Sequence, residues 1–196
     1  MTNHRIRVIL WVLVAIAAIG GIWIALQPPS PASRESGLAT IGGPFTLTGS
    51  DARPFPSSRL NGKPAAIFFG FTHCPDVCPT TLARLVKLRR QLDGGDNAMS
   101  IVFISVDPER DGPAEVGSYA SLFGAPVVGL TGKPDDIERV KKLYGVFSQR
   151  VEQPGGYTVD HSASVFLMDR NGHFVATLSP DEGDAVALAK IKRLQA

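Results

Sequence analysis

Cysteine is scarce in this chain: among 196 residues there are two, Cys74 and Cys78. A bridge between them would close too short a loop to restrain the unfolded chain much. A domain of this size hardly needs such a staple, so the pair invites a chemical reading. An excess of either charge is also missing, with 20 basic residues, 18 acidic ones and a net charge of +2. Setting aside Arg5 and Arg7 at the N-terminus leaves 18 of each, and nothing resembles a nucleic-acid-binding surface. Internal repeats and low-complexity tracts are absent. The 44% hydrophobic and 19% charged fractions suit one folded domain plus an appendage and do not suggest disorder.

What the chain does have is a concentrated apolar run. Val8–Leu26 holds 19 residues without a charge, roughly 28 Å as a helix and so close to the thickness of a bilayer core. No polar face interrupts it, and both tryptophans, Trp11 and Trp23, stand toward its ends as interfacial residues do. Arg5 and Arg7 precede the run and no basic residue follows until Arg34, which keeps the N-terminus inside and exports the rest. A cleaved signal peptide is the alternative, but the run is long for one and ends at Ala25-Leu26-Gln27, a poor cleavage site. No cysteine follows closely enough for a lipoprotein, and no Arg- and Ser-rich presequence points to mitochondria. The reading is therefore a cytoplasmic N-terminus (1–7), a single-pass anchor (8–26) in a bacterial inner membrane and a Pro/Ser-rich tether (27–40). A periplasmic domain (41–196) follows.

Within that domain strands alternate with helices. Phe45–Thr48 alternates apolar and polar residues, while Ala65–Phe71 and Ser100–Val106 are continuous apolar runs of the kind buried on both faces. Leu82, Leu85, Val86, Leu88 and Leu92 recur at near-helical spacing after the cysteines. Pro113 and Pro134 sit where first turns tolerate proline, opening helices to about Phe123 and Tyr144, with a short strand at Val127–Leu130 between them. Ser164–Met168 and His173–Leu178 flank a hairpin turn at Asp169–Gly172. Ser179-Pro180-Asp181-Glu182 carries a capping pattern that starts a final helix. The fold class is α/β, a mixed sheet flanked by helices.

Sites in such sheets gather where a strand ends and a helix begins, and both cysteines occupy that junction after Phe71. At i, i+4 their sulfurs can share one face of a helical turn, as a metal pair or a redox dithiol. With Pro79 marking where regular helix begins, the helix N-terminus would favour thiolate. Of the histidines, His4 precedes the apolar run. His73 adjoins Cys74 and points to the other side, and His173 reads as an exposed strand residue. His161, in a loop before an apolar strand, taken alone reads first as a hydrogen-bonded loop residue, with a ligand as the alternative. Two sulfurs and an imidazole, if they meet, suit copper, whereas structural zinc would want a fourth ligand. Asp107 and Asp111 flank a turn after a buried strand and are turn-formers, with docking or ligand orientation as the alternative. Asp160 adjoins His161 and could orient its second ring nitrogen.

The segment Phe68–Leu82, reading FFGFTHCPDVCPTTL, resembles the signature of the Sco/SenC family of copper chaperones. Ser105–Asp111 (SVDPERD) and Asp160-His161-Ser162 resemble that family's second and third motifs in the same order. The resemblance covers about residues 40–196. It implies a thioredoxin-like fold and one copper ion held by Cys74, Cys78 and His161. It also implies a role in assembling the dinuclear copper centre of cytochrome c oxidase subunit II, with another periplasmic copper chaperone as a further partner.

Two other functions use the same cysteines. A thiol–disulfide reductase would keep the oxidase cysteines reduced through a Cys74–Cys78 redox pair. However, thioredoxin-like oxidoreductases typically carry Cys-x-x-Cys and an opposing cis-proline, and no proline occurs between Thr158 and Gly172. A peroxiredoxin-type peroxidase usually places threonine three residues before its reactive cysteine, where Phe71 and Pro75 stand here.

Overall fold

The computed structural model describes residues 41–194 and Trp11. The described residues from 41 onward group as one compact unit. The run at 8–26 and the tether at 27–40 lie outside the described residues, Trp11 apart. Among the described residues no helix is long and apolar enough to cross a membrane.

Nine strands and four α-helices follow one another in the described domain. In chain order they are β1 (Thr46–Gly49), β2 (Pro54–Pro56), β3 (Ala65–Gly70), α1 (Val77–Arg89), β4 (Ser100–Ser105) and α2 (Pro113–Ser121). Then come β5 (Val128–Thr131), α3 (Pro134–Tyr144), β6 (Ser148–Gln153), β7 (Gly156–His161), β8 (Val165–Met168), β9 (Phe174–Leu178) and α4 (Asp184–Arg193). Seven strands form one sheet in the order β2-β1-β5-β4-β3-β8-β9. The central β3, β4 and β5 are parallel, while β8, β9, β1 and β2 join antiparallel, giving the mixed sheet the sequence implies.

Every residue of β3 is buried, and all but the first of β4, which is why both read as unbroken apolar runs. Side-chain alternation along β3 sorts its aromatics by face. Phe69 meets Phe166 and Tyr144, with ring centroids at 5.9 and 5.4 Å. Phe68 and Gly70 face the other way. There Phe68 packs 6.5 Å from Phe103 of β4, which in turn packs 5.0 Å from Tyr119 of α2. Cys78 of α1 joins this second layer.

Three details depart from the sequence reading. The capping pattern at Ser179–Glu182 does not open α4, which starts at Asp184 behind Gly183. That segment is tied elsewhere: Glu182 pairs with Lys190 at 2.6 Å, and the Arg84 guanidinium donates to the carbonyls of Ser179, Pro180 and Glu182. Helix α1 begins at Val77, so Pro79 lies inside its first turn and Cys78 is already helical. The third departure is a two-stranded ribbon, β6–β7, paired from Ser148↔His161 to Gln153↔Gly156 and separate from the main sheet. Its polar face hides it from hydrophobic periodicity. Its one clear signal is Pro154-Gly155, a turn dipeptide in which Gly155 adopts φ +89°.

Candidate metal centre

The β3–α1 loop leaves the sheet at Phe71 and delivers both cysteines. Cys74 is half-buried and bonded through its amide to the Phe71 carbonyl at 3.2 Å, whereas Cys78 is wholly buried. The Cys78 amide donates to Cys74 Sγ at 3.4 Å, so a free N–H of the first helical turn is spent on sulfur. Both thiols are free. Cys78 fits because Gly70 has no side chain. A β-carbon there would lie 2.7 Å from Cys78 Sγ and 3.0 Å from Phe103.

His161 closes the site. Its Nε2 lies 3.4 Å from Cys78 Sγ, and the ligand atoms of Cys74, Cys78 and His161 all fall within 4.8 Å of one another. Strand β7, rather than a loop, supplies it. Phe68 and Phe71 meet its ring edge-on, at centroid distances of 6.1 and 5.8 Å. The expectation that Asp160 orients the ring gives way. Asp160 is exposed, and Nδ1 faces the Ser162 carbonyl at 3.0 Å. A carbonyl only accepts, so Nδ1 carries the proton and Nε2 turns its lone pair toward the sulfurs. Burial also lowers the imidazole pKa from its ordinary value, against the Ser162 carbonyl and Asp160, which raise it.

The expectation that the helix N-terminus ionises the cysteines fails for Cys78. Burial pushes its thiol pKa well up, and Cys74 and Asp111 add to the effect, while a backbone hydrogen bond with Phe71 opposes it. Desolvation outweighs the helix terminus because the sulfur is fully enclosed.

Asp111 and Asp107 are both buried. The Asp111 carboxylate accepts from Thr72 N (2.9 Å), Thr72 Oγ1 (2.6 Å) and Ser105 Oγ (2.5 Å), which ties the cysteine loop to the end of β4. Asp107 accepts from Arg110 Nε at 2.5 Å and from the Tyr157 hydroxyl at 2.8 Å, so it faces the β6–β7 ribbon. His73 is exposed, with Nδ1 3.6 Å from Asp111. His173 stands exposed just before β9, bonded to Asp169. Sequence reasoning passed over Thr72, Ser105, Gly70, Arg110 and Tyr157. The signals available were the polar residues inside the two motif segments and the Pro-Gly turn behind Tyr157.

A mixed sheet flanked by helices, with two cysteines at a strand–helix junction and a histidine brought over them, defines a thioredoxin-like protein with a soft-metal site. The family model described as SCO1/SenC matches residues 33–196, and this chain belongs to that family. "Protein SCO2, mitochondrial" of Saccharomyces cerevisiae is 38% identical over 170 residues, covering 85% of this chain. This chain spans 56% of that relative. The structure of Bradyrhizobium japonicum ScoI with copper bound is 42% identical, with a TM-score of 0.71 over 79% of this chain and 99% of that one. BsSco, described as a cytochrome c oxidase assembly protein with a disulfide switch, matches at 25% identity and TM-score 0.62. That match covers 80% and 94% of the two chains.

Proposed function

We propose that this chain is a membrane-anchored copper metallochaperone whose periplasmic domain, residues 41–196, binds one copper ion through Cys74, Cys78 and His161. In this reading it delivers that ion during assembly of the dinuclear copper centre of cytochrome c oxidase subunit II, with another periplasmic copper chaperone as a further partner. The observation that carries the reading is the approach of His161 Nε2 to Cys78 Sγ at 3.4 Å, with all three ligand atoms within 4.8 Å. The copper-bound relative supports the identity of the metal.

The chemistry follows from the donors. Two sulfurs and an imidazole favour Cu(I), which accepts a low coordination number and leaves room for an incoming ligand. Binding as thiolate releases the thiol protons. Cys78 is enclosed, whereas Cys74 and His161 are half-exposed, so an acceptor thiolate enters on their side and Cys78 releases last.

Copper titration of the full chain in detergent, wild type against His161→Ala, under reducing and oxidising conditions, tests the site. Tight binding is lost in the variant while the dithiol still cycles. Oxidase assembly that proceeds normally with His161→Ala defeats the chaperone reading. It would favour the alternative, a thiol–disulfide reductase. That alternative draws on the two free sulfurs within 4.8 Å and on the disulfide switch of BsSco.

A further inference from the structure

The ribbon that carries His161 pairs with no strand of the main sheet. Something else must hold it against the cysteines. Tyr157, Val159 and His161 alternate along β7 and therefore share one face. Val159 is buried, and His161 meets Cys78. Tyr157, roughly 13 Å along the strand from His161, makes the third attachment. Its hydroxyl donates to Asp107 Oδ1 at 2.8 Å, and its carbonyl accepts from Arg110 Nη1 at 2.9 Å. Its ring lies between the Arg110 and Arg150 guanidinium groups, each 3.7 Å from the centroid. Arg110 in turn binds Asp107 at 2.5 Å, and Arg150 binds Glu109 at 3.1 Å. The body-side partners of Tyr157 and Arg150, namely Asp107, Arg110 and Glu109, come from the segment after β4 that also contributes Asp111, the anchor of the cysteine loop.

We propose that Asp107, Arg110 and Tyr157 form a clasp that holds the His161 ribbon closed over the cysteine pair and sets how fast copper leaves. The clasp rests on the metal-site reading above. These are positioning residues, acting through His161 and touching neither sulfur. Opening the clasp frees the ribbon to lift while Cys74 and Cys78 stay in place, because the cysteines hang from β3 and α1. A partner that competes for Arg110 or Asp107 would thereby loosen one copper ligand out of three.

Copper release from the full chain in detergent, followed by capture with a Cu(I) chelator, tests this with Tyr157→Phe and Tyr157→Ala. The phenylalanine variant keeps the ring between the two arginines and loses only the hydroxyl, so its fold is retained. Loss of a supporting group typically costs roughly 10–100-fold in metal affinity. Release is expected to quicken about tenfold in Tyr157→Phe and further in Tyr157→Ala. Hydrogen exchange of the copper-free protein should show faster exchange at the Thr158–His161 amides in Tyr157→Phe, with α1 unchanged. Wild-type release rates in both variants, or unchanged ribbon exchange, would each overturn the clasp. Failure of the wild type to bind copper would sink the metal-site reading instead, and the exchange experiment would still decide the clasp.

Discussion

Cys78 Sγ and His161 Nε2 stand 3.4 Å apart although 83 residues of chain separate them. Three short-range devices keep that distance: the absent side chain at Gly70, the Asp111 carboxylate under the cysteine loop and the Ser162 carbonyl behind the imidazole. Each can be disturbed separately.

Gly70→Ala places a β-carbon 2.7 Å from Cys78 Sγ, closer than real contacts allow, with Phe103 and Phe68 also crowding it. Overpacking of this kind costs about 1–3 kcal/mol. The sulfur has to move, so copper affinity falls along with the melting temperature. Denaturant titration and copper titration of the same variant check both effects. Native copper affinity would show that the sulfur has room to yield.

Asp111→Asn keeps the shape and replaces one accepting oxygen with a donor. Thr72 N and Ser105 Oγ both address Oδ2, and Thr72 Oγ1 addresses Oδ1, so at least one donor loses its acceptor. Hydrogen bonds to charged groups are worth about 1.5–3 kcal/mol, and a loss of about 2 kcal/mol is expected by urea unfolding. The cysteine loop loosens with it, and Cys74 becomes more reactive toward a thiol reagent.

Stability of the copper-free protein should be greatest between pH 6.5 and 9. His161 has its pKa lowered by burial. Below the ordinary value of 6.5 the unfolded chain therefore binds a proton that the folded chain refuses, and stability falls as pH drops toward the folded pKa. Cys78 has its pKa raised by burial. Above 9.0 the unfolded chain releases a proton that the folded chain keeps, so stability falls as pH rises. Tyr119, also raised by burial, and Tyr144, pushed up to about 12, deepen the alkaline loss above 10.0. Thermal melts from pH 5 to 10 measure both limbs. His161→Gln should flatten the acid limb, and Cys78→Ser should reduce the alkaline one.

Oxidation by diamide, which takes up two electrons from the two thiolates and two protons from water, joins Cys74 and Cys78 and removes both sulfur donors. Copper-loaded protein should then release its metal in proportion to disulfide formed, measured by mass spectrometry beside metal analysis. Retention of copper by the oxidised protein would separate the redox chemistry from metal binding.

Much of this was legible in the order of residues. Ala65–Phe71 and Ser100–Val106 announce central strands because a strand covered on both faces has no reason to alternate. The hairpin at Asp169–Gly172 is equally local. Asp169 Oδ1 accepts from the amides of Asn171 and His173 at 2.8 Å, and Gly172 takes φ +80°. The β6–β7 ribbon was not legible, since Ser148–Gln153 is largely exposed and pairs only with its neighbour. The start of α4 lies later than the pattern suggests: Glu182 accepts from the Ser179 amide at 3.4 Å as a capping residue would, but it also pairs with Lys190, and regular helix begins only behind Gly183.

By itself the sequence determined the cysteine pair, its place at a strand–helix junction and the mixed sheet around it. These depend on spacing along a few turns of chain. Tertiary structure alone decided that His161 meets the pair, that the Ser162 carbonyl presents Nε2 to it and that Cys78 holds its proton firmly. Those outcomes depend on burial and on contacts between residues far apart in the chain. No local pattern encodes the dielectric around a sulfur or the strand that arrives to face it.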